Sequence, residues 1–280
     1  MQRKISPFKQ GRFKTILIFT FITLTVLALG QDRAPNPRYT APKGEPLKGM
    51  RICIDPGHGG QIWGKTRGYT GGTRSVVSSQ SESEANLRIA LFLWDLLTQA
   101  GAEVVMTRTF ETRLSEDCFA EPDSEEFKAN RREELNIRVR VAEANKSDLF
   151  LSIHHNAGAN VNFATAFFFE SDGPGQNEIK HSPEAVELSK KLANAITQSL
   201  GNKLGIKTRA PRHGNYHVIR ETLLPAVLVE CAFMTNREQS EWMEDLAYSR
   251  HAAIAIFEGI LEACAEKKPE QDKTAKEVQP

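Results

Sequence analysis

The run Ile52-Cys53-Ile54-Asp55-Pro56-Gly57-His58-Gly59-Gly60 decides how the rest of the chain is read. Its first residues are an uninterrupted β-prone apolar stretch, and Pro56-Gly57 breaks it. A strand apolar on both faces belongs to a sheet covered on both sides. In an open α/β sheet the side chains just past the strand C-termini line the ligand crevice, so His58, flanked by glycines, is placed to bind something.

The same pattern recurs twice. Leu149-Phe150-Leu151-Ser152-Ile153 is a strand, and His154-His155-Asn156 follows at its end. Strand residues alternate faces, so one of the two histidines, and not both, is expected to join His58. Pro225-Ala226-Val227-Leu228-Val229-Glu230-Cys231 ends an apolar strand on a carboxylate, which is costly without a partner or a task. It reads either as half of a salt bridge to an arginine or as a general base with a shifted pKa. A metal ion unites these parts, because zinc in hydrolases takes three protein ligands and keeps a fourth position for water. The third ligand lies in Ser81-Glu82-Ser83-Glu84-Ala85-Asn86-Leu87, where either glutamate would also suit a helix N-terminus.

Working outward, short β-rich runs alternate with helical periods. Helices are expected over residues 84–100, up to about residue 145, from Ser182-Pro183 to Gly201, and over 248–265; strands are expected over 51–55, 103–107, 149–153, 164–169 and 226–229. That alternation predicts an α/β fold, a three-layer domain with a mostly parallel central sheet flanked by helices. The acidic stretch 111–134 is too polar for a core and reads as a surface excursion.

The chain has 280 residues, 40% hydrophobic and 25% charged, which suits one substantial core. Arg3, Lys4, Lys9, Arg12 and Lys14 precede a charge-free apolar run over residues 15–30, the layout of a secretory signal. Residues 1–30 are read as that signal, 31–48 as a linker, 49–265 as the catalytic domain and 266–280 as a disordered charged tail. An uncleaved anchor is the alternative, and the sole route to membrane attachment. Removing residues 1–30 moves the formal charge from +1 to −4, which argues against nucleic acid as a partner. Cys53, Cys118, Cys231 and Cys264 leave room for one or two disulfides in an oxidising compartment, but their spacings match no CxxC motif. Cys53 and Cys231, in apolar strands, read as small buried hydrophobes.

These residues are where the chain resembles the zinc-dependent N-acetylmuramoyl-L-alanine amidases of the amidase-3 type. The likeness spans roughly residues 51–263. It takes in Asp-Pro-Gly-His-Gly, the Glu-x-x-x-Asn-Leu stretch from Glu82 to Leu87, and Val104-Val105-Met106-Thr107-Arg108. Ser-Ile-His in the segment ending at Asn156 and Pro-Ala-Val-Leu-Val-Glu before Phe233-Met234-Thr235-Asn236 complete it. The resemblance implies zinc held by His58, Glu82 and His154, with Glu230 as catalytic acid and base, Glu84 on the helix face and His155 a neighbour. It implies cleavage of the amide between N-acetylmuramic acid and L-alanine in peptidoglycan, by an exported protein, periplasmic or extracellular and associated with the cell wall.

The stretch 111–134 is longer than the family's usual connection, and residues 171–181 are too few for the inhibitory helix that some cell-division amidases insert there. The sequence names no protein activator. Arg209, Arg212 and His217 are candidates for contacting stem-peptide carboxylates, with plain surface solvation as the alternative. A catalytically silent peptidoglycan-binding protein and a zinc peptidase acting on cell-wall peptides are the rival readings; HExxH, the commonest peptidase pattern, is absent.

Overall fold

A computed structural model describes residues 39, 44–59, 71–115, 124–158, 161–170 and 181–265. The signal over 1–30, most of the linker, Cys118 with its acidic neighbours, and the tail 266–280 lie outside the described residues. In chain order the elements are β1 (Arg51–Pro56), α1 (Glu82–Gln99), β2 (Glu103–Met106), α2 (Glu125–Ala144), β3 (Leu149–Asn156) and β4 (Phe163–Phe168). Then come α3 (Pro183–Leu204), β5 (Lys207–Thr208), β6 (Arg212–His213), α4 (His217–Glu221), β7 (Ala226–Phe233), α5 (Arg237–Met243) and α6 (Leu246–Cys264).

The sheet runs β2-β1-β3-β7-β4-β5, with β6 also paired to β4. Every pairing is parallel except that of β4 with β7. The mostly parallel, three-layer α/β architecture expected from the alternating pattern is therefore present. The β-strand period of two sorts the core into two layers. Ile52 and Ile54, Leu149 and Leu151, and Val227 and Val229 face α1, α3 and α6. Cys53, Phe150, Leu228 and Phe167 face the other way, against Val139 and Ala142 of α2 and Val218 and Ile219 of α4.

Several boundaries differ from the expected ones for local reasons. Helix α3 begins as predicted, with the Ser182 side chain accepting from Ala185 N and Pro183 at the first turn. It runs past Gly201 and stops at Gly205, which is left-handed at φ 66°. Gly201 is small because Thr208 packs there: a β-carbon would stand 2.6 Å from its Cγ2. The packed chain also reaches back into the stretch read as linker, since Leu47 is buried and its N–H bonds Ala100 O at 3.0 Å.

The acidic stretch is not wholly a surface excursion. Glu134 is buried, and its carboxylate accepts from Leu114 N at 3.0 Å, from Ser115 N at 2.9 Å and from Arg138 at 3.1 Å. A carboxylate so bonded can be buried, which a polarity count cannot foresee.

Candidate functional site

Strands β1, β3 and β7 end side by side, and the loop after β1 is fastened at that edge by two buried arginines. Arg108 Nε donates to the carbonyls of Pro56 and His58 at 3.0 and 2.9 Å, and its Nη2 to Gly57 O at 3.1 Å. Arg138 reaches up from α2 to the same carbonyls, Pro56 O at 3.0 Å and His58 O at 2.6 Å. Burial lowers Arg108 to about 10, so it remains charged at neutral pH. The clamp holds His58 at φ 59°, a left-handed conformation that a non-glycine residue adopts only when its surroundings impose it.

Asp55 anchors the clamp from below. Its carboxylate accepts from Arg138, Thr107 and Ser152, each at 2.7 Å. Burial alone would raise the Asp55 pKa, but the Arg138 charge and these hydrogen bonds outweigh it and hold the pKa below the usual value.

Period two then parts the two histidines of β3. His154 shares the face of Phe150 and Ser152 and turns to the site, where its Nδ1 lies 2.9 Å from Glu82 Oε1. His155 turns to the other face. Its Nδ1 lies 2.8 Å from Asn86 Oδ1 and its Nε2 2.9 Å from the Tyr248 hydroxyl, so Nδ1 donates and Nε2 accepts. Burial pushes its pKa down to about 4, so it is neutral. Asn86 also donates to Gly57 O at 3.1 Å, tying His155 back to the loop.

Glu82 is the first residue of α1 and is buried, whereas Glu84 is consumed by the helix cap. Ser81 N donates to Glu84 Oε2 at 2.8 Å while the Ser81 side chain accepts from Glu84 N, a capping box. With Glu84 engaged, Glu82 is the glutamate that points inward. Its carboxylate receives Thr73 N and His155 N at 3.0 and 3.2 Å and stands 3.2 Å from His58 Nε2. Burial would raise its pKa, but hydrogen bonds from His154 and His58 hold it well below the ordinary value. Burial lowers His154, against the pull of Glu82, leaving an imidazole with a free lone pair.

His58, Glu82 and His154 thus offer ligand atoms that all lie within 4.8 Å of one another. Ligands about 2.0–2.1 Å from a tetrahedral ion stand roughly 3.3 Å apart, and a two-histidine, one-carboxylate set suits zinc, so these residues fit the metal. Two glycines make the approach possible. A β-carbon at Gly57 would collide with the His154 ring, and one at Gly72, at φ 73°, with the Glu82 carboxylate.

Glu230 is the register partner of His154 across the β3/β7 pairing. It is buried, and its Oε2 has no hydrogen-bond partner among the described residues. Burial, helped by the negative charge of Glu82, raises its pKa well above the ordinary carboxylate value. Glu230, His58, Glu82 and His154 all border one cavity of about 450 Å³, whose outer wall includes Tyr216 and His217. His217 is held by Asn136 Oδ1 at 2.7 Å and by Arg220 at 3.2 Å. Arg209 and Arg212 lie beyond that wall, over the rings of Phe163 and Phe167.

The four residues singled out at the strand ends and the helix entry are therefore brought together, with Glu84 and His155 directed elsewhere. The sequence names Asn86 only as part of the Glu-x-x-x-Asn-Leu stretch, with no role attached, and gives no sign of Arg138. Arg138 lies in a helix dense with charge, and nothing local separates it from its solvated neighbours.

The amidase-3 family model, described as N-acetylmuramoyl-L-alanine amidase, matches residues 52–262. The uncharacterized protein YqiI of Bacillus subtilis is 31% identical over 216 residues, 77% of this chain and 85% of that protein. The N-acetylmuramoyl-L-alanine amidase LytC of the same organism is 29% identical over 236 residues, 84% of this chain but 40% of LytC. Among solved structures, the catalytic domain of CwlV from Bacillus (Paenibacillus) polymyxa var. colistinus superposes with a TM-score of 0.58. It is 28% identical and covers 76% of this chain and 97% of that one. The CwlD amidase of Clostridioides difficile, solved with the GerS lipoprotein, gives a TM-score of 0.62 at 25% identity over 76% of this chain and 98% of that one.

Proposed function

The chain belongs to the amidase-3 family of N-acetylmuramoyl-L-alanine amidases, and on that premise we propose that it hydrolyses the amide joining N-acetylmuramic acid to L-alanine in peptidoglycan, with zinc held by His58, Glu82 and His154. The observation that carries this reading is the buried Glu230 carboxyl, with an oxygen lacking any partner among the described residues, on the same cavity as the three clustered ligand atoms. Zinc bound there would supply a Lewis acid toward the amide carbonyl and toward water.

The chain's own residues account for the remaining chemistry. Glu230 takes a proton from the attacking water and passes it to the departing L-alanine nitrogen. Burial raises the Glu230 pKa above that of an ordinary carboxylate, the direction that favours holding and then returning a proton. Arg108 and Arg138 hold the His58 carbonyl, so the imidazole is oriented before substrate arrives. Leu228 and Val218 give the cavity apolar wall, which limits competing water.

The substrate lies outside the cytoplasmic membrane, and the basic-then-apolar segment 1–30 supports export to the cell wall. No helix of the described residues is long and apolar enough to cross a membrane. Mass analysis of purified peptidoglycan after incubation with the protein tests the proposal. Release of intact stem peptides with a free L-alanine amine is the expected result; shortened stems would indicate a peptidase, and unchanged material a binding protein.

A further inference from the structure

Strand β4 carries the site face of the sheet outward from the catalytic edge. Thr165 is the register partner of Glu230 and Phe167 that of Leu228, so Phe163, Thr165 and Phe167 lie on the face that bears Glu230. On the far side of β4, Arg212 pairs in register with Phe167, and Arg209 N donates to Ala164 O at 2.9 Å. Both guanidiniums lean back over that face. Arg209 Cζ stands 4.1 Å from the centre of the Phe163 ring, and Arg212 Cζ 5.2 Å from that of Phe167. Tyr216, in the cavity wall, packs edge-on against the same Phe167 ring with centroids 4.9 Å apart, so the cavity and Arg212 share one aromatic floor.

Both of these cations rest on an aromatic ring and, among the described residues, lack an anion. Arg108, Arg138 and Arg220 are each paired with a glutamate or aspartate. Arg209 and Arg212 are exposed, and among the described residues neither has a carboxylate within ion-pair distance. A guanidinium laid on an aromatic face keeps its planar fork of N–H donors free at the edge, the geometry that takes a carboxylate with two parallel hydrogen bonds.

We propose that Arg209 and Arg212 form a subsite for a carboxylate of the peptide stem, one borne by the second or third residue beyond the scissile amide. The inference rests on the amidase reading above. Two strand spacings separate β7 from the backbone of Arg209 and Arg212, roughly 10 Å. An extended peptide advances about 3.3–3.6 Å per residue, and the arginines reach back over β4 to shorten the span. A stem whose first nitrogen lies at Glu230 and whose chain crosses the Tyr216–Phe167 floor therefore delivers its second or third residue to the two guanidiniums.

The test compares two synthetic muramyl tripeptides, one with its side-chain and terminal carboxylates free and one with them amidated, as substrates of the full-length zinc-loaded protein. The wild type is expected to prefer the free acid by about tenfold or more in kcat/KM, the loss on amidation falling on KM. In the Arg209→Gln, Arg212→Gln double variant the ratio collapses towards one, while Lys191→Gln, on a remote face of α3, keeps the wild-type ratio. A double variant that retains the preference overturns the subsite, and so does a wild type indifferent to amidation. Neither result touches the amidase reading, which falls together with the subsite if the wild type releases peptide from neither compound.

Discussion

Gly57 and His154 compete for one volume: the imidazole of His154 lies where a β-carbon on residue 57 would project. The loop that presents His58 and the strand that presents His154 are thus spaced by the absence of a side chain. Gly57→Ala should leave the sheet intact but push the His154 ring off its position beside Glu82. We expect at least a hundredfold loss of amidase activity, the scale on which catalytic geometry displaced by about 1 Å is felt. Zinc content should fall while the far-UV circular dichroism stays unchanged. Wild-type turnover with one zinc per chain would show that this contact does not set the site.

The ligands and the acid-base group should separate cleanly. His58→Ala should lose both zinc and activity. Glu230→Ala should keep zinc, measured by elemental analysis, and lose about 10²–10⁴-fold in kcat, the range for removal of a general acid-base group. Chelation should abolish wild-type activity and added zinc should restore it. Near-normal turnover by Glu230→Ala would remove Glu230 from the proposed role.

The Asp55–Arg138 pair makes a stability prediction with a definite sign. Both side chains are buried and 2.7 Å apart, so Arg138→Met leaves a buried carboxylate unbalanced and should cost about 3–5 kcal/mol in urea unfolding. The folded pKa of Asp55 is depressed, so its stabilisation is complete above the unfolded carboxylate value of about 4 and drains away as pH falls through the folded value. Asp55→Asn should flatten the acid limb of the stability curve; an unaltered limb would assign that loss to other carboxylates.

Cys53 and Cys231 are fully buried and without disulfides, and burial pushes both thiols up. Alkylation at pH 8 should therefore spare both in the native protein and modify both in denaturant, as read by peptide mass mapping. Rapid native labelling of either would mean that its strand opens.

Much of this site was legible from local pattern, because largely apolar runs that lead up to His58, His154 and Glu230 announce themselves, although β7 continues past Glu230 to Phe233. The choice between Glu82 and Glu84 came from family resemblance, yet a local signal was available. Ser81-x-x-Glu84 is a capping box, and a glutamate occupied with a helix cap is not free to point inward. The partnership of Asp55 with Arg138 was not legible. It joins residues 83 apart in sequence, and an arginine in a charge-rich helix has no local mark of burial until the fold supplies its carboxylates. Glu134 escaped because the amides of Leu114 and Ser115 that it accepts from reach it only in the fold.

The alternation along β3 ties reading frame to chemistry. His154 serves the cavity and His155 the opposite layer, so inserting or deleting one residue within the strand would turn each of them to the opposite face. Tyr248 and Asn86 would then lose the imidazole they hold and Glu82 the one beside it, so the site and the core beneath it would fail at a single stroke. Change in this family should therefore accumulate in the connections between strands, while the length of β3 stays constant.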